Sequence, residues 1–174
     1  TRPLYIDPVV VFSRTFGGSG TDTVSSMHED NTGRYLTGIT ASTDFPTTAG
    51  AYQATSAGAT DLFAAKFSTD NQTLLWATYV GSGSAEYGGN SALAGDGSLY
   101  LVASTQGAAT WPGSPALFGP RGGYDIGIVH LAADGQSVVS SMVIGGTGAD
   151  YAGDIALNGG HVYVCGSVSL PGAS

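Results

Sequence analysis

Three acidic residues close three glycine-rich blocks at one fixed spacing. Gly17-Gly18-Ser19-Gly20-Thr21-Asp22 returns as Gly145-Gly146-Thr147-Gly148-Ala149-Asp150, and midway lies the looser Gly81-Ser82-Gly83-Ser84-Ala85-Glu86. The blocks open at Gly17, Gly81 and Gly145, so the two intervals are equal. Gly-Gly-x-Gly-x-Asp is formally the opening of the calcium-binding nonapeptide, whose carboxylates and carbonyls converge on an ion when successive nine-residue turns stack. Blocks this far apart have no stacking neighbour. The expected role of Asp22, Glu86 and Asp150 is therefore to accept nearby backbone N–H groups and lock a turn, with calcium as the alternative. Phosphate cradling is disfavoured, because no Gly-Lys-Ser/Thr follows and no helix begins there.

A second set of candidates lies in two long polar stretches. One carries Asp44-Phe45-Pro46 and Tyr52; the other carries Trp111-Pro112 and Tyr124. Their aromatic rings could stack on sugars, although an aromatic-Pro pair more often plugs a loop onto the sheet below it. Histidines His28, His130 and His161 share no motif, and no nucleophile elbow or His-x-x-x-His pair is present. No catalytic residue is assigned. Cys165, the one cysteine, sits in the apolar run His161-Val162-Tyr163-Val164-Cys165, where a small buried thiol is expected.

Composition narrows the classes further. Of 174 residues only 10% are charged, against about 25% in ordinary soluble domains. The 28 glycines, with abundant Thr, Ser and Tyr, favour short strands and tight turns. A net charge of −8, with five scattered cations, argues against nucleic acid and against docking on anionic lipid. No apolar run approaches the ~20 residues of a membrane helix, so no membrane insertion is expected. Scarce cysteine and lysine on an acidic Ser/Thr/Gly-rich chain fit a bacterial exported protein, secreted or at the cell surface. The chain opens on Thr1 without a signal peptide, which fits a mature or excised piece.

The elements that must position these residues recur with the blocks. Strands are predicted at Val24 to Glu29, Arg34 to Thr40, Leu62 to Phe67 and Leu74 to Val80. They recur at Ser91 to Ala94, Leu99 to Ser104, Ile126 to Leu131 and Val138 to Ile144, then at Asp154 to Leu157 and Val162 to Gly166. Val9 to Phe16 aligns with a fourth strand. Hairpin turns are expected at Asp30-Asn31-Thr32-Gly33, Thr69-Asp70-Asn71, Gly95-Asp96-Gly97, Ala133-Asp134-Gly135 and Asn158-Gly159-Gly160, with Asn and Gly supplying positive φ. Four antiparallel strands in each interval read as a β-propeller blade. The glycine blocks and long loops then share one rim and the short hairpins the other.

The run of motifs resembles the bacterial SBBP-type β-propeller repeat. The resemblance rests on the glycine block, then Tyr35-Leu36-Thr37-Gly38-Ile39-Thr40, Asp44-Phe45-Pro46-Thr47-Thr48 and Gly50-Ala51-Tyr52-Gln53. It continues through Asp61-Leu62-Phe63-Ala64-Ala65-Lys66-Phe67 and Leu75-Trp76-Ala77-Thr78-Tyr79-Val80-Gly81. The second copy keeps the frame but has His130 for Lys66. The resemblance implies a propeller in secreted or surface proteins and no particular reaction.

The expectation is an all-β segment of one propeller: a lead-in and last strand of a preceding blade (residues 1–16), blade 1 (17–80), blade 2 (81–144) and half of blade 3 (145–174). About 2.5 blades cannot close a ring of four to eight. The chain is thus expected to belong to a longer polypeptide, an oligomer or an open arc. The expected role is a non-enzymatic scaffold, adhesion or protein-interaction module without a cofactor, its partners being other subunits or further blades. Its binding face would comprise Asp22, Asp44, Tyr52, Glu86, Trp111, Tyr124 and Asp150. The alternative is a glycan- or calcium-dependent binding module on that face, and a third reading is part of a propeller enzyme.

Overall fold

Apolar and polar residues alternate in short runs between glycine turns, and the computed structural model folds each run as a strand. It describes residues 13–113, 115–118 and 122–169. The first sheet is β1 (Asp22–Asp30), β2 (Gly33–Thr40), β3 (Asp61–Phe67) and β4 (Leu74–Val80), antiparallel and in that order. The second holds β5 (Glu86–Leu93), β6 (Leu99–Thr105), β8 (Asp125–Leu131) and β9 (Val138–Ile144), with the short β7 (Ala116–Phe118) parallel to β9 at its edge. The hairpin of β10 (Tyr151–Asn158) and β11 (His161–Ser167) forms a third, two-stranded sheet.

Registers in the first two sheets superpose, since Thr40 pairs with Asp61 and Thr105 with Asp125. The first strands of the three sheets also break register at matching places: between Val24 and Ser26, Gly88 and Asn90, and Ala152 and Ile155. These bulges explain why β5 begins at Glu86, ahead of the predicted Ser91. Gly88 and Gly89 read as loop, but their φ values of 97° and 98° let the strand carry an extra residue.

Three apolar layers stack in sequence. Phe16 and Phe45 cover the outer face of the first sheet at Phe63, Phe67 and Tyr79. Between the first and second sheets lie Tyr35, Leu62, Ala64 and Val80 against Leu99, Leu101, Val129 and Leu131. Between the second and third lie Val102 and Ile126 against Ile155, with Leu157 and Val164 beside them. Polar bonds cross the first joint too, from His28 Nε2 and Thr37 Oγ1 to Ser91 Oγ at 3.0 and 2.7 Å.

The long loops do more than connect. Thr48 and Gln53 bond along β4 at Ala77, Thr78 and Tyr79, and β7 does the same along β9. Each loop so covers the outer edge of its sheet, where unpaired N–H and C=O groups would invite association.

Two expectations are corrected. Cys165 is exposed rather than buried, because β11 is the outer strand of the two-stranded sheet and only part of that sheet is covered. The β1–β2 turn does not use positive φ at Asn31 or Gly33. Asp30 holds it instead, accepting from Thr32 N at 2.7 Å and Gly33 N at 3.0 Å. Asn71 does take φ 60°, as expected. Of the predicted strand Val9 to Phe16, residues 9–12 lie outside the described residues and Ser13 to Phe16 join no strand.

Candidate functional site

The glycine blocks place three carboxylates in one geometry. Gly18 N donates to Asp22 Oδ2 at 2.8 Å, Ser82 N to Glu86 Oε2 at 3.2 Å and Gly146 N to Asp150 Oδ2 at 2.5 Å. The donor is the fourth residue upstream each time. The second oxygen reaches the end of the neighbouring strand: Thr40 Oγ1 donates to Asp22 Oδ1, and Thr105 Oγ1 to Glu86 Oε1 at 2.9 Å. Those threonines in turn accept from Ser42 N and Gly107 N at 3.0 and 2.9 Å. Asp150 Oδ1 instead accepts from Ser169 N at 2.7 Å. Each acid thus clamps its glycine block to the strand end or loop beside it. Glu86 and Asp150 are fully buried doing so.

At the joint between the first two sheets, a second acid faces the clamp. Asp61 heads β3, is fully buried and accepts from Ala57 N at 2.7 Å, while among the described residues its Oδ1 has no hydrogen-bond donor. Burial raises the Asp61 value. Burial also pushes Glu86 up to about 7, with the Asp61 charge adding to the rise and bonds from Ser82 and Thr105 opposing it. Asp125 heads β8 at the matching place in the next repeat and is likewise buried, near the clamp of Asp150. The spacing showed Asp61 and Asp125 as a pair without revealing this role, which depends on the next block folding over them.

Four further acids are held at turns. Asp30, Asp70, Asp96 and Asp134 each accept from the N–H two residues on, at 2.7 to 3.0 Å. Hydroxyl and backbone donors lower Asp70 and Asp96, and bonds led by Thr32 bring Asp30 to about 2. Asp44 is exposed and accepts from Ser19 N and Oγ at 2.7 and 3.0 Å. The negative charge of the chain is therefore largely turn chemistry. Among the described residues no group of three or more His, Cys, Asp or Glu could hold a metal ion.

Glycine blocks and long loops do share one rim. Ala59 N meets Ser84 O, Gly123 N meets Gly148 O, and Gly58 lies so close to Ser84 O that a β-carbon would collide with it. The seven predicted rim residues separate there. Asp44 and the half-buried Asp22 sit together at the first block. Trp111 is 2% exposed, donates from Nε1 to Ile128 O and covers Gly127. Phe45 N donates to Tyr79 Oη over the same place in the first sheet. Both aromatic-Pro pairs are plugs. Tyr52 N donates to Gly135 O, which puts it against the β8–β9 hairpin and away from the others.

Tyr124 has neighbours that the sequence did not single out. Its ring lies 5.3 Å from Tyr87 and 5.4 Å from Tyr151, centroid to centroid. Tyr87 and Tyr151 are each about half exposed. Both follow a clamp acid directly, in Glu86-Tyr87 and Asp150-Tyr151, so the repeat interval carried the signal.

The histidines are dispersed. His130 stacks on Tyr100 at 4.0 Å, and burial lowers its value. Lys66, its counterpart, lies over the Tyr35 ring at 4.6 Å. His161 bonds to Gly159 O at the tip of its hairpin. No family model matches the chain, and no curated protein matches its sequence.

Proposed function

We propose that these sheets are successive blades of a β-propeller and that the chain works as a non-enzymatic interaction or scaffold module. The observation that carries this reading is the clamp: one hydrogen bond, from the fourth residue upstream to an acid, at three evenly spaced positions. Face-to-face stacking of the sheets, with innermost strands bulged at matching places, fits blades set around an axis. The proposed setting is extracellular, secreted or on a bacterial surface, with further blades or other subunits as partners. That setting is supported by the low charge and the single cysteine.

Spin labels test the arrangement. Placed at Asn31, Gly95 and Asn158 in a Cys165→Ser background, they mark the ends of the three inner strands. A propeller of four to eight blades makes the long distance about 0.7 to 0.9 of the sum of the two short ones. A long distance equal to that sum means a straight stack and ends the propeller reading.

One observation favours a second reading. The exposed Tyr87 and Tyr151 and the half-buried Tyr124 form an aromatic cluster on the long-loop rim, suited to stacking on sugar faces. A glycan array then shows binding that Tyr87→Ala and Tyr151→Ala remove. Silence across the array counts against a lectin role.

A further inference from the structure

The joint between the first two sheets buries two carboxyl groups against each other. Asp61 and Glu86 are both fully buried, and their side chains are in hydrogen-bond contact. Glu86 takes donors from Ser82 and Thr105, and Asp61 Oδ2 takes Ala57 N. Asp61 Oδ1 takes none among the described residues, and it lies so close over Gly81 that a β-carbon there would overlap it. No salt bridge reaches either acid among the described residues. The other groups around the pair are neutral: Gln53 and Ser56 of the long loop, Thr105 of β6, and the phenol of Tyr79 in β4, which feels the Asp61 charge. Two carboxyl groups in contact and out of water cannot both ionise without a large cost.

The cover over the pair is thin. Residues 54–60 and 81–85 belong to none of the strands β1 to β11. The β3–β4 ladder stops at Leu62 and Val80, and the β5–β6 ladder starts at Glu86 and Thr105. Block and loop meet through Ala59 N to Ser84 O at 3.2 Å, Glu86 N to Thr60 O at 3.0 Å and Thr60 Oγ1 to Glu86 O at 2.9 Å. Those bonds can part while both ladders stay whole.

We propose that Asp61 and Glu86 are a proton-held latch on the long-loop rim. With one proton shared between them, residues 81–85 stay closed over the pair. When that proton leaves, the block and residues 54–60 swing apart and admit water to the joint. Burial raises both acids, Glu86 to about 7, so the closed form is favoured in acid and is lost as pH rises through that value. The rim proposed for binding then has two shapes, and pH selects between them. The latch needs no particular number of blades.

Amide hydrogen exchange on the intact protein, with the intrinsic pH dependence of exchange divided out, provides the test. The amides of Ala57, Ala59, Ser82 and Glu86 should show an opening constant that rises on the order of fifty-fold between pH 5 and pH 8. At every pH it should exceed the opening constant of Ala64 and Ala65, which lie inside the β3–β4 ladder. Glu86→Gln should flatten the pH dependence. Asp61→Asn should move its midpoint to lower pH, and it serves alone if Glu86→Gln does not fold. An opening constant that ignores pH overturns the latch, as does a pH dependence that survives Glu86→Gln or a midpoint that Asp61→Asn leaves in place. Equal constants in the block and the ladder overturn it too, since the joint would then yield only with the whole fold. None of these outcomes bears on the spin-label ratio that tests the propeller reading.

Discussion

Glu86→Gln is expected to remove a stability loss that the native protein suffers between about pH 5 and pH 8. Burial places the folded-state value of Glu86 at about 7, above its ordinary 4.5. A raised value means that the neutral form is favoured by folding. The contribution is full below the unfolded value and disappears as pH rises through about 7. The interval corresponds to stability on the order of 3 kcal/mol. Glutamine has the same shape, needs no proton and can donate its amide toward the Asp61 carboxylate. At pH 5 it should lie within about 1 kcal/mol of the native protein. Glu86→Ala should lose about 3 kcal/mol at that pH, because Ser82 N and the Ser82 and Thr105 hydroxyls lose a buried acceptor. His130 works in the opposite sense, since burial holds it neutral and acid costs it stability. The quantity to measure is therefore the difference between native and Glu86→Gln unfolding free energies across that pH range. Parallel curves would mean that Glu86 is ionised in the folded protein.

Trp111→Ala should be the most damaging single truncation in the second sheet, at about 3–5 kcal/mol. The indole is buried, donates to Ile128 O and packs against the bare backbone of Gly127, where a β-carbon would come within 2.5 Å of the ring. No neighbouring backbone can collapse into that volume while the strand pairing of β8 persists. At ~2–4 °C per kcal/mol for a chain of this size, melting should fall by about 10 °C. Thermal unfolding followed by far-UV circular dichroism reads it directly. A fall of less than a degree would mean that Trp111 is held for a ligand rather than for packing.

The strand plan was legible because alternation and turn chemistry agree. Leu74–Val80 and Val138–Ile144 begin and end where apolar alternation meets a turn or a glycine. What the residues alone concealed was three-dimensional. The Glu86-Tyr87-Gly88-Gly89 start of β5 resembles loop until the bulge is built. Cys165 reads as core because its neighbours are apolar, yet exposure depends on what lies across the sheet. The clamp was anticipated for Asp22, Glu86 and Asp150 from glycine-turn chemistry. The buried partner Asp61 was not, because it heads β3 of the preceding sheet and meets Glu86 only once the glycine block after β4 has folded over it. Tyr87 and Tyr151 lie far apart in sequence, and only the fold brings their rings to Tyr124.

On this reading the repeated acids clamp their glycine blocks to the strand ends or loops beside them rather than hold an ion. Thermal melting with and without millimolar calcium tests this, on the native protein and on Asp22→Asn and Asp150→Asn. The expected result is no calcium-dependent shift in any of them, with each variant melting below native by the equivalent of about 1–2 kcal/mol. Calcium at ten times a submillimolar dissociation constant would stabilise the native protein by about 1.4 kcal/mol. A rise of that size in the native protein, absent from both variants, would contradict the clamp and make the glycine blocks an ion site.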